Sequence, residues 1–153
     1  METFLSTPIG VLRIIANESA LQAVEFQKSM PKNFEEDLEN NVILKKAKTQ
    51  LTEYFEGKRK SFDLPLDLSR GSEFQQKVWR GLLEIPFGET RTYGQLAKAI
   101  GNPKGQRAVG GANNKNPLPI IVPCHRVVAK NSIGGFALGQ NVKIWLLSRE
   151  KNA

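Results

Sequence analysis

The 153-residue sequence contains one cysteine and one histidine. A single cysteine excludes an internal disulfide, and with a single histidine it excludes the usual Cys/His zinc site, so no metal is expected. Long apolar runs are missing as well. The longest wholly aliphatic run around the lone cysteine is Ile120-Ile121-Val122, and Met1 is followed by Glu2 rather than by a basic segment and an apolar core. No membrane span or secretory leader is therefore expected, and the location expected is cytoplasmic.

Acidic residues are scarce in one half only. Residues 1–70 carry 10 Lys and Arg against 11 Asp and Glu, whereas residues 71–153 carry 12 against 4, giving net charges of −1 and +8. That asymmetry implies a polyanionic partner for the second half, because neutralising phosphates dominates nucleic-acid affinity. Net charge is a weak discriminator by itself, so where the charges fall along the chain matters more. With 40% hydrophobic residues the chain has enough apolar material for a packed core, in one ordinary domain or two small ones.

From Thr3 to Phe26 the chain is rich in β-branched and aromatic residues, with turn signals at Thr7-Pro8-Ile9-Gly10 and Asn17-Glu18-Ser19. Three short antiparallel strands are predicted. Residues 31–41, carrying Glu35, Glu36, Asp37 and Glu39 around Phe34 and Leu38, read as an exposed loop or short helix. Leu44, Ala47, Leu51, Tyr54 and Phe55 follow helical spacing before Gly57, which predicts a helix packed on the sheet. Lys58-Arg59-Lys60 reads as solvated surface and Leu64 to Ser69 as an extended connection, with a boundary near Arg70-Gly71. The expected domains are residues 1–70 and 71–153.

In the second half Ser72 with Gln75 forms a capping-box pattern that opens a helix reaching about Glu84. Thr92 with Gln95 repeats the pattern and opens a helix from Tyr93 to Ile100. Asn102-Pro103 then reads as an N-cap with proline at the first helical position, predicting a helix over about Lys104 to Asn113. Two short helices joined by a glycine-containing turn make a helix-turn-helix. The second of them has almost no side chain at Ala108, Gly110, Gly111 and Ala112. Each mid-helix glycine costs about 1 kcal/mol relative to alanine. Two in succession imply close approach to a neighbouring helix or to nucleic acid, and nearby Arg107 favours the latter.

The lone cysteine and histidine are adjacent, in Pro119-Ile120-Ile121-Val122-Pro123-Cys124-His125-Arg126-Val127-Val128. A cysteine is nucleophilic only as the thiolate, and a neighbouring base is the usual means of lowering its pKa. The dipeptide alone leaves ordinary packing open, since free cysteine is among the most buried residue types. Adjacent side chains on a strand also point to opposite faces. The pair works only if the chain turns at Pro123 or a water bridges the two groups. In the last predicted helix, Asn141 to Glu150, Val142, Trp145 and Leu146 form one stripe that Glu150 continues. Position alone also allows Glu150 to fray at the chain end.

The stretch Asn116-Pro117-Leu118-Pro119-Ile120-Ile121-Val122-Pro123-Cys124-His125-Arg126-Val127 resembles the active-site signature of the O6-alkylguanine-DNA alkyltransferases, also called methylated-DNA–protein-cysteine methyltransferases. The resemblance covers Phe74 to Glu150 well and the first half loosely. It implies an α+β protein with a small N-terminal antiparallel sheet and packed helix. A mainly helical, winged helix-turn-helix-like domain carrying the reactive cysteine would follow.

The implied partner is double-stranded DNA containing O6-alkylguanine, with O4-alkylthymine as a further candidate, bound through the minor groove by a monomer without a cofactor. Carried over residue by residue, Cys124 accepts the alkyl group irreversibly from a flipped base, His125 deprotonates it through a water, and Glu150 orients His125. Tyr93 donates to the base and crowds the 3′ phosphate, while Asn116 links the helix-turn-helix to the active-site turn. Arg107 enters the space left by the extruded nucleotide, on a helix whose Ala108, Gly110, Gly111 and Ala112 face the groove. Val127, Phe136 and Ala137 line the base pocket. Many relatives carry tyrosine where Phe136 stands and some carry serine where Ala137 stands, so two hydroxyl contacts are absent. The alternatives are a cysteine hydrolase using Cys124, His125 and Glu150, or a helix-turn-helix protein that binds DNA without chemistry.

Overall fold

The computed structural model describes residues 1–34, 36 and 38–153. Glu35 and Asp37, which belong to the expected loop or short helix of residues 31–41, lie outside the described residues. The chain divides into two compact units, Met1–Asp67 and Leu68–Ala153.

The first unit begins with an antiparallel sheet in the order β1 (Glu2–Thr7), β2 (Gly10–Ala16) and β3 (Leu21–Gln27). Alternation places Leu12, Ile14 and Ala16 fully inside, as a strand with one covered face requires. Gly10 closes the first hairpin at φ 119°, a value that L side chains rarely adopt. Asn17 Oδ1 closes the second by accepting from the Ser19 and Ala20 amides at 2.7 and 2.8 Å.

Helix α1 (Val42–Phe55) starts two residues before the periodic pattern, because Asn41 caps it by accepting from the Leu44 amide at 2.9 Å. Its buried stripe, Leu44, Ala47, Leu51, Tyr54 and Phe55, covers β1 and β2. Burying each leucine of such a stripe contributes about 1.5–3 kcal/mol. Beyond α1, Gly57 at φ 79° lets Gly57 and Lys58 donate back to Tyr54 and Glu53 at 3.1 and 2.8 Å, a Schellman ending.

The second unit holds α2 (Glu73–Leu83), β4 (Arg91–Thr92), α3 (Tyr93–Ala99), α4 (Gln106–Asn114), a 3-10 turn (Cys124–Arg126), β5 (Val127–Val128) and α5 (Gln140–Lys151). Both capping boxes, Ser72/Gln75 and Thr92/Gln95, are formed reciprocally. β4 and β5 pair in parallel, which sets Tyr93, the first residue of α3, beside the chain that leaves the 3-10 turn. Trp79 of α2 donates its indole N–H to the Ala112 carbonyl of α4 at 2.8 Å. Gly81 admits α3, since a Cβ there would come 2.9 Å from Ile100 and 3.0 Å from Leu96.

Three expectations change. Asn102 does not cap α4. Residues 102–105 form a turn closed by the Gly105 amide on the Asn102 carbonyl at 2.9 Å, and the helix starts at Gln106 with Gly105 as its N-cap. Pro103 suits the second position of that turn as well as the first turn of a helix. Ala112 is 4% exposed and packs inward, so it is not on the open face of α4. On α5 the fully inward stripe is Lys143, Leu146 and Glu150, at spacings of three and four, while Val142 and Trp145 are only half-buried.

Candidate active site and nucleic-acid interface

Between α4 and the 3-10 turn the chain is buried and bent. Ile120 sits at φ 76°, a left-handed conformation in which a β-branched side chain is strained by about 1–3 kcal/mol. Burial of Leu118 through Val122 and a Val122 amide to Leu118 carbonyl bond of 2.8 Å hold it there. Asn116 clamps the same segment, accepting from the Leu118 amide at 2.9 Å and donating to the Val122 carbonyl at 2.8 Å. It thereby ties the end of α4 to the residues entering the site. Pro123 (φ −80°, ψ 66°) turns the chain tightly, with the Cys124 amide on the Val122 carbonyl at 2.8 Å.

Cys124 is 4% exposed and His125 is fully buried. Burial pushes the Cys124 thiol up to about 11, against a hydrogen bond from the Asn116 side chain, the backbone amides of Cys124 and His125, and the Lys143 charge. Burial also lowers the His125 pKa, although Glu150 opposes that shift, so the imidazole is neutral near pH 7.

His125 Nε2 lies 2.6 Å from Glu150 Oε2. Glu150 also receives Arg126 Nε at 2.8 Å and Nη2 at 3.1 Å, and the Gly88 amide at 3.4 Å. Burial opposes ionisation of this carboxyl, but the bonds and charges of His125 and Arg126 prevail and hold it at about 2. Glu150 is therefore a carboxylate and an acceptor only. The His125 proton must sit on Nε2, leaving the lone pair on Nδ1. Nδ1 has no protein partner among the described residues.

Tyr93 is half-buried, and burial followed by the Cys124 charge raises its pKa, so its hydroxyl is a donor at neutral pH. It stands between α4 and the loop at Gly134: a Cβ on Gly110 would be 3.9 Å from its ring and one on Gly134 would be 3.4 Å from its hydroxyl. Lys143 is fully buried and donates to the Val127 carbonyl at 2.6 Å and the Gly135 carbonyl at 3.1 Å, with its Nζ 6.0 Å from the Phe136 ring centre. Burial brings its pKa down to about 8, partly offset by the Cys124 charge. The Val127 amide is used inside the 3-10 turn, on the Cys124 carbonyl. The Val127 N–H is therefore committed, while its carbonyl keeps a lone pair beyond the one that accepts from Lys143. Phe136 is half-buried and Ala137 exposed.

On α4, Arg107, Ala108 and Gly111 are exposed, and a Cβ on Gly111 would meet nothing within 4 Å. Nothing among the described residues requires that glycine. Beside α4 a cleft of about 590 Å³ is lined by Tyr93, Lys98, Gln106, Ala129 and Lys130 among others. Among the described residues no three His, Cys, Asp or Glu side chains gather to hold a metal ion, and no helix is long and apolar enough to cross a membrane.

Sequence reasoning did not find Arg126 or Lys143 in this cluster, nor Asn113, which donates its Nδ2 to the Cys124 carbonyl at 3.4 Å. Lys143 alone had a signal, its place three residues before Leu146 and seven before Glu150, which a lysine's usual exposure obscures.

The second unit thus defines a class: a helix-turn-helix built around a buried thiol, with a His–Glu pair behind it and an open, side-chain-poor helix in front. Residues 73–152 match the family model described as 6-O-methylguanine DNA methyltransferase, DNA binding domain, and residues 1–68 match its ribonuclease-like domain. The chain is 49% identical over 147 residues to a methylated-DNA–protein-cysteine methyltransferase of Methanosarcina acetivorans, covering 94% of each chain. It is 44% identical over 156 residues to the constitutive enzyme of that name from Bacillus subtilis, covering 97% of this chain and 94% of the relative. Among solved structures, Mycobacterium tuberculosis OGT in complex with DNA superposes with a TM-score of 0.85 at 40% identity, covering 99% of this chain and 93% of that one. The protein belongs to the 6-O-methylguanine DNA methyltransferase family.

Proposed function

We propose that this protein repairs DNA by moving the alkyl group of an O6-alkylguanine onto its own Cys124. The observation that carries this reading is the buried array of Cys124, His125 and Glu150, set behind an exposed helix in a chain of this family. A guanine inside the duplex keeps its O6 out of reach of a buried sulfur, so the nucleotide must be flipped into the pocket. Arg107, exposed and without an ion pair among the described residues, fills the space it leaves. Ala108 and Gly111 let the α4 backbone approach the minor groove closely. One chain acts per lesion, as a monomer.

In the pocket Tyr93 donates to the base. His125 Nδ1 accepts the Cys124 proton through a water, while Glu150 holds the ring and stabilises the imidazolium as it forms. The thiolate attacks the alkyl carbon, forming C–S as C–O6 breaks, and the electron pair leaves on guanine, which takes up one proton while the imidazolium gives back the one removed from Cys124. Lys143 and the backbone amides at Cys124 and His125 stabilise the thiolate in a dry site where such contacts are strong. The product thioether has no acyl carbon for water to attack, so each chain reacts once. O4-alkylthymine is a second substrate to test in the same pocket, and Phe136 and Ala137 bear on which alkyl groups it accepts.

Incubation with duplex containing O6-methylguanine and no added cofactor tests this. The tryptic peptide Asn116–Arg126, which holds the only cysteine, should gain one CH2 unit, with guanine restored and the reaction stopping at one methyl per chain. Repeated turnover, a requirement for a methyl donor, or transfer that survives Cys124→Ala would reject it.

A further inference from the structure

Two buried side-chain polar atoms lack a hydrogen-bond partner among the described residues, Asn113 Oδ1 and His125 Nδ1. Both belong to side chains anchored at the reactive turn. Asn113, 2% exposed on α4, donates its Nδ2 to the Cys124 carbonyl at 3.4 Å. His125 follows Cys124 directly, with its Nε2 committed to Glu150. Unpaired buried polar groups are costly and rare, so two at one turn ask for a common cause.

The orientation of the Asn113 amide is determined by its partner. Exchanging its oxygen and nitrogen would set two acceptors, the amide oxygen and the Cys124 carbonyl, against each other. Its Oδ1 is therefore an acceptor, and so is His125 Nδ1. Two acceptors cannot satisfy one another. One water can satisfy both with its two O–H groups and still offer a lone pair to a third group, as a buried water with about three hydrogen bonds does. The Cys124 S–H is a donor at this turn whose proton the chemistry must remove.

We propose that Asn113 is a positioning residue: its Oδ1 and His125 Nδ1 hold one buried water between them, with the water's lone pair turned to the Cys124 thiol. The purpose of this device rests on the alkyl-transfer reading. The S–H proton passes to the water oxygen as the water's own proton on the other side passes to His125 Nδ1, which leaves thiolate, water and imidazolium with no other reactant consumed. Because the second O–H of the water is tied to Asn113, the proton has a single acceptor, His125.

The test reads the thiolate with iodoacetamide, following carboxamidomethylation of the Asn116–Arg126 peptide against pH in the full chain. Asn113→Leu should move the midpoint up by about one pH unit, an approximately tenfold loss of reaction near neutrality. In a His125→Asn background the same substitution should change the rate less than about twofold, because coupled groups are not additive. An unchanged midpoint, or an equal loss in both backgrounds, would overturn the proposal. The unsubstituted protein gives a second measurement that does not depend on variants folding. A crystal structure that orders waters should show one within about 3.2 Å of both atoms, and a water on only one of them, or none, would overturn it. Iodoacetamide needs no alkylguanine. Failure of the repair reading would instead appear as unmodified Cys124 after exposure to O6-methylguanine.

Discussion

In the first unit charged side chains stand at the surface and answer one another: Arg13 reaches Glu2 and Glu25, Lys48 reaches Glu36, and Arg59 reaches Glu53. In the second unit His125, Arg126, Lys143 and Glu150 are buried, while Lys98, Lys104, Arg107, Lys115 and Lys130 have no ion pair among the described residues. Exposed pairs are worth at most about 1 kcal/mol each and are readily exchanged. A buried charged cluster is different, since it is tolerated only if every member is satisfied, and similar packing could be had from apolar residues. On the proposed function, buried charge and unpartnered surface charge in one unit would separate two tasks, proton handling inside and polyanion attraction outside.

Removing a carboxylate from each unit gives the largest contrast. Glu150→Ala leaves Arg126 buried without its partner and should cost about 3–5 kcal/mol in urea unfolding. Glu2→Ala at the Arg13 pair should cost at most about 1 kcal/mol. Equal costs would remove the distinction.

The next contrast separates the outside task from the inside one. Arg107→Ala should slow repair of a lesion within duplex by about tenfold or more, because base flipping must be supported by a few kcal/mol. Reaction with free O6-benzylguanine should change little. Equal losses would assign Arg107 to folding or chemistry.

Acid should act on the second unit first. The folded pKa of Glu150 is held at about 2 against an ordinary 4.5, so its contribution is complete above pH 4.5 and is lost as pH falls towards 2. The His125 pKa is also lowered from 6.5, so the unfolded chain binds that proton first and stability begins to fall below pH 6.5. Amide exchange measured from pH 7 to 4 should show protection lost earlier around Cys124–Val128 and α5 than in β1–β3. The reverse order would contradict this electrostatic account.

The smallest effect should come from single surface lysines. Lys98→Ala or Lys130→Ala should lower the salt slope of duplex binding by about one, whereas Lys58→Ala should leave it unchanged. Identical slopes for all three would mean that the charge asymmetry does not reflect where DNA binds.

The sequence by itself determined whatever depends on neighbours a few residues away. The capping pairs Ser72/Gln75 and Thr92/Gln95, the strand alternation of Leu12, Ile14 and Ala16 and the stop at Gly57 all follow from local geometry with one low-energy solution, whereas Glu150, which position alone left open to fraying, is held inside by His125 and Arg126. Where two local solutions are nearly equal the reading failed, as at Asn102-Pro103, which suits a turn as well as a helix start. Only the tertiary structure decided that Ala112 faces inward under Trp79, that Lys143 is buried between two carbonyls, and that Arg126 shares Glu150 with His125. Each of these depends on a partner 8 to 33 residues away in the chain, and the sign of the balance between desolvation and pairing is set by that partner rather than by residue type. The same holds for Asn113 Oδ1, whose lack of a partner among the described residues appears only once α4 is packed against the turn at Cys124.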